Sequence, residues 1–287
     1  MTGSSVREAL GAAVDGLRAA GVEDPRLDAE LLLGEAMGCG RAALVADGGA
    51  EVPASAARSF GEMVRRRLRR EPVAYILGRK GFRNLELEVD SRVLIPRPET
   101  ELLVELALEL QPARVLDVGT GSGAVALAVA DELPECAVTA TDTSPGALEV
   151  VRANAKRLGL ADRIDFVEGT LPGGEFDLVL ANLPYVAERD WASLQPEVTQ
   201  WEPREALLAG PDGLDAYRAL ILDCGRAFPS QGGETSAAVA VEVGEGQAEA
   251  VAGLMRESGF GAVEMRRDLA GIERIVIGSS LAGREAA

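Results

Sequence analysis

The stretch FDLVLANLPYVAERD, residues 176–190, places an amide side chain at the end of an apolar run. Phe176–Ala181 has the composition of a buried strand, and Asn182 follows it directly. A carboxamide offers both a hydrogen-bond donor and an acceptor. With the carbonyl of Leu183 and the ring of Tyr185, Asn182 would form a slot for a flat –NH2 group. The structural alternative is an Asn–Pro turn that only ends the strand.

A glycine-rich turn follows an earlier predicted strand, in VLDVGTGSG at residues 115–123. Glycines let the backbone turn sharply into a helix and let a ligand approach the chain closely. A dinucleotide fingerprint needs G-x-G-x-x-G, and here the third glycine comes one position early. The spacing after Asp117 instead suits S-adenosylmethionine, which has no pyrophosphate to cradle; the alternative is a plain βα turn. The predicted cofactor loop comprises Gly119, Thr120, Gly121, Ser122 and Gly123.

Two further segments follow predicted strands that come after this turn. Asp142 ends the run VTATD, where a carboxylate can accept hydrogen bonds from both hydroxyls of an adenosine ribose. The next run leads into VEGTLPGG, where Thr170 and Leu171 would lie beside the adenine. These residues extend the candidate cofactor site across the ends of three strands.

The composition excludes several kinds of catalytic site. The chain has no histidine, so it has neither a His-dependent catalytic triad nor a His metal ligand. Its three cysteines lie far apart and out of metal-ligand spacing, which fits a reducing cytoplasm and predicts no bound metal. No apolar run approaches the roughly 18 residues of a membrane helix, and the first residues lack a secretory layout. We therefore expect a cytoplasmic protein without membrane contact.

The net charge of −17 is unevenly distributed along the chain. Residues 1–78 carry 10 basic and 11 acidic residues, which leaves 19 basic and 35 acidic residues, a net charge of −16, for the remainder. So acidic a surface repels phosphate backbones. Nucleic acid is therefore a poor first candidate for the substrate of the larger part. The basic run RRRLRR within residues 1–78 is either a solvated helix face or a contact for an acidic partner or RNA.

The periodicity of apolar residues predicts two domains and a linker. Residues 1–78 show helical spacing, and residues 79–98 alternate apolar and polar residues as in a short β-hairpin linker. Residues 99–280 alternate helices with short β-rich runs, as in an α/β doubly wound sheet with helices on both faces. Residues 281–287 form a tail. The predicted strands are Arg114–Val118, Ala137–Thr141, Arg163–Val167, Phe176–Ala181, Ala237–Val243 and Arg274–Ile277.

The motifs taken together resemble a known enzyme family. The run Asn-Leu-Pro-Tyr after a G-x-G-x-G loop resembles a motif pair of S-adenosylmethionine methyltransferases that act on planar nitrogens. Two branches share this pair: enzymes that methylate adenine N6 of nucleic acids, and enzymes that methylate glutamine N5 of proteins. Four further stretches decide between these branches, and the segment IPRPETE within the second of them is the most specific match. They resemble the bacterial release-factor glutamine methyltransferases over nearly the whole chain. The stretches are PVAYILGRKGF (72–82), VLIPRPETELLVE (93–105), EPREALLAGPDGLDAYR (202–218) and EVGEGQ (242–247).

The resemblance implies a Rossmann-like methyltransferase sheet that uses S-adenosylmethionine and releases S-adenosylhomocysteine. It implies as substrate the glutamine of the Gly-Gly-Gln motif in class I peptide chain release factors, docked with help from the N-terminal helices. Asn182 and Tyr185 would be catalytic. The implied cofactor residues are Gly119 to Gly123, Asp142, Thr170, Leu171 and Asn182. The implied substrate residues are Asn182, Leu183, Pro184 and Tyr185.

Two residues depart from the family pattern, which usually has Pro at the position of Leu183 and Asp at that of Thr170. Leu183 keeps the backbone carbonyl, so we expect activity, whereas Thr170 removes a carboxylate near the adenine. A nucleic-acid adenine methyltransferase and a cofactor-binding interaction protein without catalysis are the alternative functions. A monomer is the simplest expectation for the assembly.

Overall fold

The computed structural model describes residues 4–227 and 237–280. The chain divides into two compact units. One unit is Met1–Arg79 with Gln195–Trp201, and the other is Lys80–Leu194 with Glu202–Ala287. The short segment 195–201 thus belongs with the N-terminal helices although it comes late in the chain. The predicted tail at residues 281–287 lies outside the described residues.

Helices and strands account for most of the described chain. The helices are α1 (Val6–Ala19), α2 (Pro25–Met37), α3 (Arg41–Ala46), α4 (Ala54–Leu68), α5 (Val73–Leu77), α6 (Glu101–Leu110), α7 (Ala124–Glu132), α8 (Pro145–Leu158), α9 (Pro196–Trp201), α10 (Asp215–Ala227) and α11 (Ala248–Glu257). The strands are β1 (Arg79–Phe82), β2 (Leu85–Glu88), β3 (Arg114–Val118), β4 (Ala137–Asp142), β5 (Ile164–Glu168), β6 (Leu178–Ala181), β7 (Ala238–Glu242), β8 (Ala262–Arg267) and β9 (Glu273–Ser279).

The smaller unit is helical, as its sequence periodicity predicts. Ser5 and Glu8 form a capping box at the start of α1, which satisfies backbone donors that the first turn leaves free. Pro25 begins α2, and Gly38 ends it with a left-handed φ of 64°. Helix α2 packs against α1 and α4. Their apolar faces form one core that includes Val6, Leu10, Leu17, Leu32, Leu33 and Phe60.

The basic run at the end of α4 forms ion pairs inside this unit. Arg67 has a side chain only 7% exposed, and it contacts Asp28 at 2.7 Å and Glu197 at 2.6 Å. Arg70 also pairs with Glu197, and Arg66 pairs with the buried Glu71. The sequence offered a solvated face or a partner contact, but these three arginines of the run neutralise acidic groups of their own unit. Their acidic partners come from distant points in the sequence, which periodicity does not reveal.

The larger unit contains a seven-stranded sheet in the order β5-β4-β3-β6-β7-β9-β8. The five strands from β5 to β7 are parallel, and β9 is antiparallel to both β7 and β8. Helices α6, α7 and α8 contribute to the core on one face, and α10 and α11 to the core on the other. This mostly parallel sheet with helices on both faces confirms the predicted doubly wound α/β fold class.

All six predicted strands are present, with bounds shifted by one or a few residues at one or both ends in most of them. The sequence missed β8, whose residues are only partly buried or exposed. An edge strand of this kind lacks the apolar face that makes a strand visible in a sequence. The two-stranded sheet of β1 and β2 spans residues 79–88, and the described residues 89–98 contain no strand.

The strand order changes direction beside β3. The chain runs from β3 outward to β4 and β5, and then returns to place β6 on the other side of β3. In open α/β sheets, ligands bind in the crevice at the carboxyl ends of the strands where the order reverses. The residues that follow β3 and β6 therefore lie at the expected position for a ligand.

Candidate active site

The register of the sheet brings the predicted site residues to one edge. Val118 of β3 pairs with Thr141 of β4 and with Ala181 of β6. Gly119 and Asn182 thus leave neighbouring strands at the same level, and Asp142 ends the strand on the other side of β3. Sequence positions more than 60 residues apart become neighbours here because parallel strands end together.

Hydrogen bonds hold the glycine-rich turn against the end of β4. The backbone N–H groups of Gly119 and Thr120 both donate to the carbonyl of Thr141 at 2.9 Å. Gly121 N–H donates to the carboxylate of Asp142 at 3.0 Å. The hydroxyl of Thr120 donates to Asp117 at 2.6 Å. The turn is thus fixed by the strands on which it lies.

Gly123 directly precedes α7 at a φ of 88°, and its lack of a side chain permits close packing. A Cβ at this position would lie 2.4 Å from a methyl carbon of Val151 and 2.6 Å from one of Leu127. Gly123 does not line the neighbouring cavity, whereas Gly119, Thr120, Gly121 and Ser122 do. Its requirement for glycine therefore comes from its φ and from the packing of Val151 and Leu127 around it.

Asp142 combines structural contacts with a place on the cavity wall. Its two carboxylate oxygens accept from the N–H groups of Gly121 and Ser144, the latter at 2.9 Å. The side chain is partly exposed and lines the cavity. Each oxygen has a second lone pair available, so this carboxylate could still accept hydroxyl donors from a ligand.

The two residues predicted beside the adenine differ in position. Thr170 is exposed and lines the cavity, and its backbone carbonyl accepts from the hydroxyl of Thr141 at 2.8 Å. Leu171 does not line the cavity and instead packs against the apolar core that includes α10 and α11. Of the pair, only Thr170 is placed to contact a ligand in this cavity.

The Asn182 amide has one end bonded and one end free of partners. Its Nδ2 donates to the hydroxyl oxygen of Thr100 at 2.9 Å. Its Oδ1 is buried, and no group of residues 4–227 or 237–280 is hydrogen-bonded to it. A buried acceptor without a donor costs on the order of 1–3 kcal/mol, so such an atom indicates a missing partner. Because Asn182 lines the cavity, that partner can be a ligand with an N–H group.

The residues after Asn182 separate into two environments. Leu183 and Pro184 line the cavity, and the Leu183 side chain lies so close to Gly119 that a Cβ there would be 3.3 Å from it. Tyr185 does not line this cavity; its ring packs against the core beside α10 and α11. Burial raises the pKa of its hydroxyl, with the Glu242 charge adding to the effect.

The cavity at this edge of the sheet has a volume of about 180 Å³. Besides the residues already described, its walls include Arg92, Val93, Leu94, Pro96 and Thr100 from before α6, and Pro203, Glu205 and Ala206. A second cavity of about 230 Å³ shares Thr143, Thr170, Leu183 and Pro184 with the first and continues along α10. The two cavities therefore share part of their lining at the strand ends.

Glu202 joins two segments that contribute to the first cavity. Its side chain is 2% exposed, and its Oε2 accepts from the backbone N–H of Ile95 at 3.1 Å. Its Oε1 accepts from the guanidinium of Arg97 at 2.5 Å. The carboxylate thereby fixes Pro96, which lies between these two residues, beside the cavity. Both segments belong to stretches on which the family resemblance rests, but the sequence did not show that they are bonded to each other.

Two buried carboxyl groups near the site have raised pKa values. Burial raises the pKa of Asp117 to about 6, against the opposing effect of hydrogen bonds from Thr120 and Ala126. Burial also raises the pKa of Glu242 to about 7, and the nearby charge of Glu99 adds to the effect. Sequence reasoning assigned no role to Thr100, Glu202 or Glu242, because the first two bond to residues distant in the chain and Glu242 is distinguished by its burial.

Two negative findings limit the chemistry of the described residues. They contain no group of three or more His, Cys, Asp or Glu side chains that could hold a metal ion. In the same part of the chain, no helix combines the length and apolar character needed to cross a membrane.

Comparisons with known proteins agree with this architecture. The PrmC N-terminal domain profile matches residues 8–78, and a methyltransferase domain profile matches residues 115–201. A release factor glutamine methyltransferase of Rhodospirillum rubrum is 40% identical over 91% of this chain and 81% of its own length. One of Geobacter sulfurreducens is 42% identical over 90% of each chain.

A solved structure with the same fold is the hMettl16 catalytic domain in complex with a MAT2A 3′UTR hairpin. It aligns with a TM-score of 0.56 at 15% identity, over 69% of this chain and 76% of that one. At this level of identity, the similarity concerns the fold alone.

Proposed function

The chain belongs to the release factor glutamine methyltransferase family, and we propose that it methylates the side-chain nitrogen N5 of a glutamine in class I peptide chain release factors. The methyl donor would be S-adenosylmethionine, and the target glutamine would be that of the Gly-Gly-Gln motif. The chain is an enzyme of the methyltransferase class. The single observation that carries the proposed chemistry is the unpaired Oδ1 of Asn182 at the cavity wall.

The polar groups that line the described cavity support S-adenosylmethionine as the proposed donor. Asp142 would accept hydrogen bonds from the ribose hydroxyls. The turn from Gly119 to Ser122 would lie along the donor, because its glycines have no side chains to obstruct it. Thr170 would lie beside the adenine. When bound, S-adenosylmethionine supplies an electrophilic methyl group on a positively charged sulfur. We expect Thr170 to make binding weaker than a carboxylate at this position would.

Asn182 and Leu183 would hold the substrate amide. An amide nitrogen is a poor nucleophile because its lone pair is delocalised into its carbonyl. The Oδ1 of Asn182 and the backbone carbonyl of Leu183 would accept its two N–H groups and direct the lone pair toward the methyl group. Such positioning contributes up to about 7–11 kcal/mol in favourable intramolecular reactions. Leu183 provides the same backbone acceptor as the usual proline.

The proposed reaction needs no strong base before the attack. The nitrogen forms a bond to the methyl carbon while the carbon–sulfur bond breaks, and a proton then leaves the nitrogen for water. This sequence suits a chain without histidine. We propose that Tyr185 helps to exclude water from the far side of the amide slot, although its ring lies outside the first cavity.

We also propose a role for each domain. Residues 1–78 would help to dock the release factor, residues 79–98 would link the two domains, and residues 99–280 would carry out methyl transfer. The acidic charge of the larger part argues against a nucleic-acid substrate, because phosphate groups would be repelled.

Transfer of a labelled methyl group tests this function directly. The full chain is incubated with labelled S-adenosylmethionine and, in parallel, with a purified class I release factor, ribosomal RNA or duplex DNA. We expect label only in the release factor. Label in RNA or DNA would support the adenine alternative, and cofactor binding without any transfer would support a non-catalytic binding protein.

A further inference from the structure

The second cavity shares part of its wall with the first and also includes residues of α10. Its volume is about 230 Å³, and the lining residues from α10 are Ala216, Ala219, Leu220 and Asp223. Ligand sites are mostly apolar, with a few polar groups that fix the orientation of the ligand. Among the described residues that line this cavity, Asp223 is the only charged one. Its carboxylate is therefore the group most able to select a ligand there.

The carboxylate of Asp223 is available to a ligand. Its side chain is 52% exposed, and the guanidinium of Arg226 lies 3.9 Å from it. That distance is too long for a hydrogen bond, so the carboxylate oxygens keep their lone pairs for another donor. A carboxylate only accepts hydrogen bonds, and it repels negative charge. A ligand group that fits against Asp223 therefore carries N–H or O–H donors and no negative charge.

The amino group of adenine is the part of the proposed donor that meets this requirement. Asp142 lines the first cavity, and the next residue, Thr143, lines both cavities. If Asp142 accepts the ribose hydroxyls, the base on that ribose lies beside the wall that the cavities share. The methionine end carries a carboxylate, which Asp223 would repel. That end also belongs with the methyl group near Asn182, which lines the first cavity and not the second.

Thr170 leaves the adenine amino group without a charged acceptor at the end of β5. It lines both cavities, but the family pattern usually has an aspartate at this position. A hydroxyl forms a weaker hydrogen bond to an amino group than a carboxylate does. Asp223 lines one of the cavities that Thr170 lines, so it can supply the missing charge from α10.

We propose that Asp223 is a specificity residue that accepts a hydrogen bond from the amino group of adenine in the second cavity. It thereby takes the place of the carboxylate that Thr170 lacks. The inference rests on the proposed function for the identity of the methyl donor, but it concerns binding and not methyl transfer. Asp223 does not contact the methyl group or the target glutamine in this arrangement.

Calorimetric binding of two related ligands to the full chain tests this contact. One ligand is S-adenosylhomocysteine, and the other is its analogue in which hydrogen replaces the adenine amino group. The wild type should bind S-adenosylhomocysteine about 10-fold more tightly, the lower end for a hydrogen bond to a charged group because Asp223 is half exposed. Asp223→Ala should weaken S-adenosylhomocysteine alone, so that the two ligands bind almost equally.

Two further variants separate this contact from general effects of charge on α10. Asp215→Ala removes a carboxylate of the same helix that is 58% exposed, lies 2.9 Å from Arg218 and lines neither cavity. It should leave the preference for S-adenosylhomocysteine unchanged. Thr170→Asp, added to Asp223→Ala, should restore the preference, because a carboxylate again lines the second cavity. No recovery would show that positions 170 and 223 do not serve the same amino group.

The outcomes distinguish this inference from the proposed function. A wild type without the preference, or an Asp223→Ala variant that keeps it, would overturn the role of Asp223. Equal weakening of both ligands by Asp223→Ala would also overturn it, because the carboxylate would then act on the homocysteine ammonium. If the preference depends on Asp223 but the wild type methylates no release factor, the inference stands and the proposed function fails. If methylation occurs and the preference does not depend on Asp223, only the inference fails.

Discussion

The direction of the side-chain amide matters as much as the residue type at Asn182. The sequence supplies an amide after a strand, but an amide can present either a donor or an acceptor to its ligand. The hydrogen bond from Nδ2 to Thr100 leaves the oxygen as the free end. A free acceptor suits a substrate that brings N–H groups, which is the basis of the proposed clamp.

Replacement of Asn182 by alanine should nearly abolish methyl transfer. The substrate nitrogen would lose an acceptor that holds its lone pair in line, and the loss of one such preorganised group costs about 100- to 1,000-fold in kcat. Binding of S-adenosylmethionine should stay mostly intact, because Asp142 and the glycine turn remain. Single-turnover methylation and calorimetric cofactor binding measure the two effects. Methylation near the wild-type rate would contradict the clamp.

Glu242 should make the stability of the protein depend on pH. Its pKa is raised from 4.5 to about 7 in the folded state, so the folded protein binds the proton more tightly than the unfolded chain. Stability from this group is therefore fully present below pH 4.5 and is lost as pH rises through about 7. The loss amounts to about 3 kcal/mol, from about 1.4 kcal/mol for each unit of pKa.

Glu242→Gln removes this titration, and urea denaturation from pH 5 to 8 measures it. The unfolding free energy of the variant should improve relative to the wild type by up to about 3 kcal/mol as pH rises. Glu257→Gln changes an exposed carboxylate of α11 and serves as the control, with no such trend expected. A constant difference between Glu242→Gln and the wild type would show that Glu242 does not titrate in this range.

Much of the candidate site was predictable from sequence, but its supporting hydrogen bonds were not. Asn182 and Asp142 stand out because each follows a β-rich run, and parallel strands bring such positions to one edge. Glu242 and Thr100 carry no comparable local signal. The hydrogen bond of Thr100 joins it to a residue about 80 positions away, and the burial of Glu242 appears only when the sheet is assembled.

At the level of secondary structure, apolar content decided which elements were visible. All four residues of β6 are buried, and a continuous apolar run marks it in the sequence. Strand β8 has charged residues at three of its six positions and pairs only with β9. The sequence pattern did not single out the short helices α3 and α5, since five or six residues make fewer than two turns, too few for an apolar repeat to be visible.

The close packing around Gly123 predicts a strong effect of Gly123→Ala. The new methyl group would meet Val151 and Leu127 at distances that require a shift, and φ is 88°. Gly159→Ala is a matched control, because Gly159 has a φ of 74° and nothing within 4 Å of its added Cβ. In both variants, alanine in the left-handed backbone conformation lowers the free energy of unfolding by about 1–2 kcal/mol. Only Gly123→Ala adds overpacking, of about 1–3 kcal/mol.

Urea denaturation of both variants isolates the packing contribution. We expect Gly123→Ala to be less stable than Gly159→Ala by that overpacking energy. Equal destabilisation would mean that the glycine turn is not constrained by the neighbouring helix, and a ligand-based reason for Gly123 would then be needed.

At the scale of the whole molecule, the two units differ in net charge and in how their charged side chains are paired. The smaller unit is nearly neutral and keeps part of its charge in buried pairs, whereas residues 79–287 carry the acidic excess. Arg67 is the centre of the buried pairs, because it contacts both Asp28 and Glu197. The second of these partners joins the segment 195–201 to the N-terminal helices of its unit.

Arg67→Ala should destabilise the helical unit by about 3–5 kcal/mol, because two buried carboxylates lose their common partner. Arg65→Ala removes an exposed arginine of the same run and should change stability by less than about 0.5 kcal/mol. Trp201 lies in this unit and Trp191 in the other, so Trp201 fluorescence in a Trp191→Phe background reports the unfolding. Similar values for the two arginine variants would show that the ion pairs contribute little.

Mapping of the methylated atom tests the central claim that an amide clamp presents a glutamine nitrogen to the methyl donor. A class I release factor is incubated with the full chain and S-adenosylmethionine, digested, and sequenced by tandem mass spectrometry. We predict one added methyl group on the side-chain nitrogen of the Gly-Gly-Gln glutamine, absent with Asn182→Ala. A methyl group on another residue, or the same modification with Asn182→Ala, would contradict the account.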